Sequence, residues 1–175
     1  MMFDVKEHIL KRHVDLNIHT VYLTDTKATF MLFNISGQIT GYQVYSPLSP
    51  HLSSNSYSGR YYTHRSKFIS IFGLETLKLN CKTVFLTEGI FDAVRLTKKG
   101  KCALALLTNS PNSSMLNFLY CLPQKRVLVS DNDKGGCFLR KSLTGIVHDV
   151  VVPPFKDLGE ATEEYVEYVS TIYDT

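Results

Sequence analysis

The sequence lacks closely spaced cysteines. The shortest gap between any two of its four cysteines is the 16 residues from Cys121 to Cys137. Because a structural zinc site usually takes two of its ligands from a CxxC or CxxH pair, we expect no such site. Cys102 and Cys121 lie in apolar stretches and are expected to be buried, reduced thiols.

Long hydrophobic runs are missing as well. No apolar stretch approaches the roughly 20 residues that a membrane-spanning helix needs. The first residues, MMFDVKEHILKRH, are charged and amphipathic, which is unlike a secretory signal peptide. These two observations predict a protein of the cytoplasm that contacts no membrane.

The composition fits one folded domain with a basic middle and an acidic end. Hydrophobic residues make up 44% and aromatic residues 11% of the 175 residues, which is enough for a well-filled core. Counting Lys and Arg against Asp and Glu, residues 1–59 are neutral, residues 60–146 carry +9 and residues 147–175 carry −6. This asymmetry predicts a protein that meets a polyanion on one face. The lysines of LTKKGK, by contrast, are interpreted as solvated surface charges.

Residues 1–80 are predicted to form a small N-terminal lobe of basic character. A short helix over residues 3–14 is indicated by the helical spacing of Phe3, Ile9 and Leu10. The segments TVYLTD, ATFMLFN and ITGYQVY predict three strands of an antiparallel sheet. The stretch at 46–59, which is rich in Ser, Pro and Asn, predicts an exposed loop.

Residues 81–175 predict a second unit of the α/β class. The segments TVFL, ALALL, RVLVS and VHDVVVP are typical of strands, and helical segments separate and follow them. Such an alternation predicts a mostly parallel four-stranded sheet with helices on both faces. In sheets of this kind, functional sites lie beyond the carboxyl ends of the strands.

Three acidic residues stand at those strand ends. Glu88 follows TVFLT, and the aspartates Asp131 and Asp133 follow the apolar run in VLVSDNDKGG. Because alternate residues of an extended chain point to the same side, the two aspartates are expected to converge. Carboxylates at that separation repel each other unless a cation lies between them, which predicts a divalent metal site. The alternatives are a solvated Asx turn for the aspartates and a favourable charge at a helix start for Glu88.

Together, the two motifs resemble the Toprim domain, which primases, topoisomerases and certain nucleases share. The resemblance consists of the glutamate in VFLTEGIFDAVRL and the Asp-x-Asp in VLVSDNDKGG about forty residues later. The primases of bacteria and phages are the most similar branch. GQITGYQVY, GRYYTH and FISIFGLETL resemble the basic lobe that precedes their Toprim domain, and PPFKDLGEAT resembles a Lys-Asp-x-x-Glu motif of phage primases. The resemblance covers about residues 28–165.

This resemblance implies a nucleotidyltransferase that depends on Mg²⁺ or Mn²⁺. Glu88, Asp131 and Asp133 would be catalytic and metal-binding, with Glu88 either a ligand or a general base, and Asp157 would be an additional metal-binding acid. The residues implied to bind nucleotide or nucleic acid are Lys134, Arg60, Arg65, Lys67 and Tyr61, with Tyr62 as a second stacking candidate. The alternatives are a solvated helix-start lysine for Lys134 and packing within the sheet for the tyrosines. The histidines show no ligand spacing.

Three functions fit the sequence. The first is RNA primer synthesis from ribonucleoside triphosphates on a single-stranded DNA template, by a phage-encoded core. The cysteine-rich zinc module of primases and the GxxxxGKS/T loop of a fused helicase are missing, so a replicative helicase or a separate template-recognition protein is the expected partner. The second is a metal-dependent Toprim nuclease. The third is a non-catalytic adaptor that binds replication or host proteins. The primase-like lobe and the three acids favour the first.

Overall fold

The computed structural model describes residues 3–51, 58–66 and 69–173. In this part of the chain, two four-stranded sheets are formed along with five α-helices. In chain order the elements are α1 Val5–Lys11, β1 Val21–Leu23, β2 Ala28–Phe33, β3 Ile39–Tyr45, β4 Tyr61–Arg65, β5 Thr83–Thr87, α2 Ile90–Lys98, β6 Cys102–Ala105, α3 Ser113–Cys121, β7 Lys125–Val129, α4 Lys134–Ser142, β8 Asp149–Val151 and α5 Glu163–Thr171. Short 3-10 helices cover Leu74–Leu79 and Leu158–Glu160.

The N-terminal lobe is an antiparallel sheet with the strand order β1-β2-β3-β4. Every second residue of β2 is buried, as the two-residue repeat of a strand with one covered face requires. The helix α1 begins at Asp4, whose carboxylate accepts hydrogen bonds from two backbone N–H groups of the first turn. The pattern of the sequence predicts three strands here. The structure adds β4, because Tyr61–Arg65 pairs along β3, from the pair Tyr45 and Tyr61 to the pair Gly41 and Arg65.

The second sheet is parallel throughout, with the strand order β6-β5-β7-β8. Every residue of β5 and β6 is buried, because helices cover both faces of the sheet. The apolar residues of α2 and α5 pack on one face, and those of α3 and α4 pack on the other. The predicted α/β class, with a parallel four-stranded sheet after a small antiparallel lobe, is confirmed.

The two sheets are joined through the segment Ile71–Phe72. Ile71 pairs with Phe33 of the antiparallel sheet, and Phe72 pairs with Ala105 of the parallel sheet. The Phe72 ring also lies edge-on to Phe30, with 5.8 Å between ring centroids. Phe30 in turn lies edge-on to Phe91 of α2 at 5.9 Å. One hydrophobic core therefore contains residues of both lobes, and the division at residues 80 and 81 stays a prediction.

The structure also tests the expectations for the cysteines and for a membrane-spanning helix. Cys102 is buried as predicted, but the prediction for Cys121 is wrong, because this residue ends α3 on its solvent side and is exposed. Among the described residues, no helix has both the length and the apolar character needed to cross a bilayer.

The shared core leads to a stability prediction for Phe72, which is 1% exposed. We expect Phe72→Ala to lower the free energy of unfolding by about 3–5 kcal/mol, because it removes a buried ring and leaves a cavity between the sheets. Urea unfolding followed by circular dichroism measures this change, and wild type should unfold in one transition. Ile39→Ala, at a residue of β3 that is 60% exposed, should change stability by less than about 0.5 kcal/mol. Separate transitions for the two lobes would contradict a shared core.

Candidate active site

A cavity of about 520 Å³ opens where the carboxyl ends of β5 and β7 face the antiparallel lobe. Acidic residues line one part of it and basic and aromatic residues line another. The acidic lining residues are Glu88, Asp92, Asp131, Asp133 and Asp157. The basic and aromatic lining residues include Arg12, Arg60, Tyr61 and Lys156. The volume is large enough for a nucleotide-sized ligand.

Glu88 is the first residue after β5 and lies at the centre of the acidic part. Its Oε2 atom is buried and has no hydrogen-bond partner among the described residues. Burial, and then the nearby carboxylate of Asp133, raise the pKa of Glu88 above its ordinary value. A methyl group placed on Gly135 would lie 3.4 Å from Glu88 Oε1 and 3.2 Å from Asp133 Oδ1, so the two carboxylates flank the same glycine.

Asp131 and Asp133 follow β7 and play different local parts. Asp133 caps α4, since its Oδ1 accepts a hydrogen bond of 2.8 Å from the backbone N–H of Gly136. Asp131 is not a cap. Burial, together with the charges of Asp92, Glu88, Asp157 and Asp133, raises the pKa of Asp131 to about 8.

Gly136 has no room for a larger side chain. A methyl group on Gly136 would lie 2.0 Å from the carbonyl oxygen of Asp131 and 2.6 Å from Ser130 Oγ. Only glycine therefore lets α4 start close enough to β7 for the Asp-x-Asp loop to face the cavity.

Asp92 is an acidic member of the site that the sequence predictions missed. It lies in the first turn of α2, is 6% exposed, and accepts a 2.7 Å hydrogen bond from the Gly159 N–H. Burial, and then the charge of Asp157, raise the pKa of Asp92 to about 7. A methyl group on Gly89 would lie 2.7 Å from Asp92 Oδ2, so the Asp92 carboxylate lies close to the backbone at the start of α2. Nothing in the spacing of the sequence pointed to Asp92, because it lies inside α2 and not at the end of a strand.

Asp157 reaches the same cavity from the loop between β8 and α5. It caps the 3-10 helix Leu158–Glu160 by accepting a 2.9 Å hydrogen bond from the Glu160 N–H. The residue before it, Lys156, accepts a 2.8 Å hydrogen bond at its carbonyl from the Asn132 N–H. This bond ties the loop to the Asp-x-Asp turn, so the structure places Asp157 beside the other acids, where the sequence predicted it.

The basic part of the cavity comes mainly from the antiparallel lobe. Arg12, at the end of α1, stacks on Phe91 with 3.5 Å from its guanidinium carbon to the ring centroid. Its Nη1 donates a 3.4 Å hydrogen bond to the Tyr45 hydroxyl. Arg60 also lines the cavity, with its Nε donating to the Ser49 carbonyl at 3.3 Å. No motif in the sequence pointed to Arg12, because only the packing of the lobes brings α1 to the cavity.

The predicted binding residues divide into two groups. Tyr61 lines the cavity and stacks on Tyr45 at 5.2 Å between centroids, so it has both the predicted position and the alternative packing role. Three others lie outside the cavity lining: Arg65, Lys134 and Tyr62. Arg65 Nη1 donates to the Leu106 carbonyl at 3.3 Å, and Lys134 is exposed at the start of α4. Lys67 lies outside the described residues. The predicted roles of all these residues stay predictions.

The acidic cluster fits a divalent cation by its chemistry. Five carboxylates whose charges act on one another, one of them with a buried, unpartnered oxygen, form a site where a bound cation would relieve repulsion. Oxygen donors are also the ligands that Mg²⁺ and Mn²⁺ prefer. Within the described ranges, no three His, Cys, Asp or Glu side chains are already arranged as a metal site.

Solved structures with the same architecture are DNA primases. The fold is that of a primase catalytic core. The primase of Aquifex aeolicus matches with a TM-score of 0.65 and 20% identity, over 82% of this chain and 38% of that one. The primase fragment of the bacteriophage T7 primase-helicase matches with a TM-score of 0.63 and 17% identity, over 85% of this chain and 64% of that one. The E. coli primase catalytic core matches with a TM-score of 0.60 and 15% identity, over 93% of this chain and 56% of that one.

The primase-like fold confirms the resemblance seen in the sequence at the level of architecture. The chain spans less than two thirds of the length of each of these three primases. No protein-family model matches the sequence, and no curated protein does.

The raised pKa values of Asp92 and Asp131 predict how stability depends on pH. Between about pH 4 and pH 8 the unfolded chain has lost protons that the folded chain keeps, so the free energy of unfolding falls as the pH rises. Without metal we expect a lower Tm at about pH 8 than at about pH 5. Mg²⁺ should raise Tm more at about pH 8, because it binds the deprotonated acids.

Thermal unfolding with and without Mg²⁺ at the two pH values measures both effects. The variant Asp92→Asn should show a smaller fall in Tm with rising pH, since it cannot release that proton. An Mg²⁺ effect that is equal at both pH values would contradict this assignment.

Proposed function

We propose that this chain is the catalytic core of a DNA primase, which joins ribonucleotides on a DNA template. The observation that carries the proposal is that five carboxylates and two arginines line one nucleotide-sized cavity, on the fold of primase catalytic cores. Nucleotidyl transfer needs both parts, because the reacting phosphates require a metal and the polyanionic strand requires cations.

The acidic part would hold Mg²⁺ or Mn²⁺. Asp131 and Asp133 are the proposed ligands, with Asp92 and Asp157 beside them. When bound, the metal neutralises the phosphate oxygens and favours ionisation of the attacking hydroxyl. Glu88, whose pKa is raised, is either a further ligand or the base that takes the proton of the 3′-hydroxyl. The hydroxyl oxygen then bonds to the α-phosphorus, and pyrophosphate leaves.

The basic part would bind template and nucleotide. Arg12 and Arg60 are positioned to contact phosphates, and Tyr61 offers a ring on which a base can stack. Lys134 and Arg65 lie outside the cavity lining and are proposed to contact a longer strand. One similar structure is a DnaG primase catalytic domain bound to single-stranded DNA, which supports this choice of ligand.

The partners are part of the proposal. The similar Aquifex aeolicus structure contains a zinc-binding domain beside its RNA polymerase domain, and the similar T7 fragment comes from a primase-helicase. We propose that a replicative helicase or a separate template-recognition protein supplies these functions here, in the cytoplasm of a phage-infected cell.

The first test removes the proposed metal ligands. We expect Asp131→Asn/Asp133→Asn to abolish synthesis of short RNA on single-stranded DNA with Mg²⁺ or Mn²⁺. Asparagine is also a good N-cap, so α4 should still start at residue 133. The measurement is incorporation of labelled ribonucleotides, analysed on a denaturing gel. The matched control is Asp25→Asn, an exposed aspartate in the turn between β1 and β2, which should retain full synthesis.

The same assay separates the alternatives. A shortened template that depends on the two aspartates would identify a nuclease instead. Neither product, in the presence of a helicase partner, would favour the adaptor. Equal primer yields from wild type and the double variant would refute the assignment of the ligands.

The second test addresses the basic part of the cavity. We expect Arg12→Ala/Arg60→Ala to weaken binding of single-stranded DNA and to reduce the slope of log K against log salt by about 1.4, since each phosphate contact to a single strand contributes about 0.7. Fluorescence anisotropy at several salt concentrations measures both quantities. The charge-matched control is Lys6→Ala/Lys27→Ala, two exposed lysines outside the cavity lining. An equal loss in both double variants would mean that net charge alone drives binding.

A further inference from the structure

Asp157 lies on a loop whose residues Leu158 and Ala161 are buried in the core, and two backbone hydrogen bonds also hold it beside the other acids. On one side, the Asn132 N–H donates to the Lys156 carbonyl, as described above. On the other, Asp92 Oδ1 accepts the Gly159 N–H. A methyl group on Gly159 would lie 3.2 Å from Asp157 Oδ1 and 3.5 Å from Asp92 Oδ1, so the two carboxylates approach each other around this glycine.

Like charges so close together push the loop away from α2. The charge of Asp157 is the second cause, after burial, of the raised pKa of Asp92. Arg12 lies beside both carboxylates and offsets part of this repulsion, and Leu158 and Ala161 are buried in the core. A further contact binds the backbone of the loop itself.

Arg95 supplies that contact. It lies on α2 almost one turn after Asp92 and is 6% exposed. Its Nη1 points at three carbonyl oxygens of the loop, those of Leu158 at 3.2 Å, Gly159 at 3.4 Å and Ala161 at 2.5 Å. Its Nη2 donates a 2.7 Å hydrogen bond to Glu163 Oε1 at the start of α5.

The side chain is matched to this task. Burying a guanidinium is costly unless its donors are used, and here one nitrogen binds the loop while the other binds the helix that follows it. The planar group fixes both directions at once, which a lysine ammonium cannot do. Of the carbonyls it binds, that of Leu158 also accepts the Ala161 N–H at 3.2 Å, whereas that of Ala161 lies just after the 3-10 helix, where backbone acceptors lack helical partners.

We propose that Arg95 is a positioning residue that holds the loop of Asp157 against α2, so that Asp157 and Asp92 stay at the acidic part of the cavity where a metal would bind. This inference rests on the proposed function of the cavity. Arg95 itself is not in the cavity lining and would touch neither substrate nor metal.

The test compares Arg95 of α2 with Arg126 of β7, a second arginine that binds backbone carbonyls. Arg126 binds backbone carbonyls in the same way, with Nε on Ile146 at 2.8 Å and Nη1 on Tyr120 and Leu122. It lies near the amino end of β7, whereas the acids follow its carboxyl end. The variants Arg95→Met and Arg126→Met thus remove similar contacts, and only one of them is next to the acids. Arg95→Lys is the conservative variant.

Three quantities are measured on the full chain: amide hydrogen exchange at Gly159 and Ala161, affinity for Mn²⁺ by calorimetry, and the free energy of unfolding. We expect Arg95→Met to accelerate exchange at the two amides and to weaken Mn²⁺ binding about ten-fold or more, as removal of the groups that orient metal ligands usually does. Arg95→Lys should fall between it and wild type. Arg126→Met should lose comparable stability and bind Mn²⁺ like wild type.

Each outcome decides the inference. Unchanged exchange in Arg95→Met, or equal Mn²⁺ affinities in the two methionine variants, overturns it. If Arg95→Met does not fold, a wild-type affinity in Arg95→Lys with accelerated exchange overturns it too, and a reduced affinity supports it. If wild type binds Mn²⁺ but makes no primers, the proposed function is refuted. The role of Arg95 would then still be tested by the Mn²⁺ affinities of its variants. Wild type that binds no Mn²⁺ would refute both.

Discussion

Repulsion between carboxylates at one sheet edge is the constraint on which the rest of this structure depends. Asp92 and Asp131 are held where burial and neighbouring negative charges raise their pKa values to about 7 and about 8. Such an arrangement lowers stability near neutral pH, so it persists only where the surrounding structure fixes it. The groups that fix it are specific: backbone N–H donors at Gly136 and Gly159, and the guanidinium of Arg95. The starts of α2 and α4 also lie at this edge, where helix dipoles favour negative charge.

The antiparallel lobe turns this edge into a cavity. Without it, the acids would line an open sheet edge, as in any protein with a parallel sheet of this kind. With it, Arg12 and Arg60 line the same cavity as the acids, and Arg12 lies beside Asp92 and Asp157. The position of this lobe depends on aromatic contacts, chiefly those of Phe72 and Phe30 and the stacking of Arg12 on Phe91. The packing of the core therefore determines which arginines line the site.

The two parts of the cavity match the two demands of phosphodiester chemistry. The acidic part suits a metal that activates a hydroxyl and neutralises phosphate oxygens, and the basic part suits the strand that carries those phosphates. Joining and cleaving strands make the same demands, so the acids alone do not separate a primase from a nuclease. The lobe that carries the arginines is part of the fold that this chain shares with primase catalytic cores.

The sequence alone determined the fold class and the positions of most of the acids. Strand and helix periodicity is local, and the rule that sites follow parallel strands placed Glu88, Asp131 and Asp133 at one edge without any coordinates. The same reasoning did not reach Asp92, because it lies inside α2 and not at the end of a strand. The tertiary structure alone decided which arginines lie near those acids, because Arg12 reaches the cavity and Arg95 reaches the loop of Asp157 through contacts between residues 33 to 68 positions apart in the chain. It also showed that Arg65 and Lys134, whose type and position suggested phosphate binding, lie outside the cavity lining. Local pattern specifies which face of an element is buried, whereas the side chains that meet across two lobes depend on how the lobes pack.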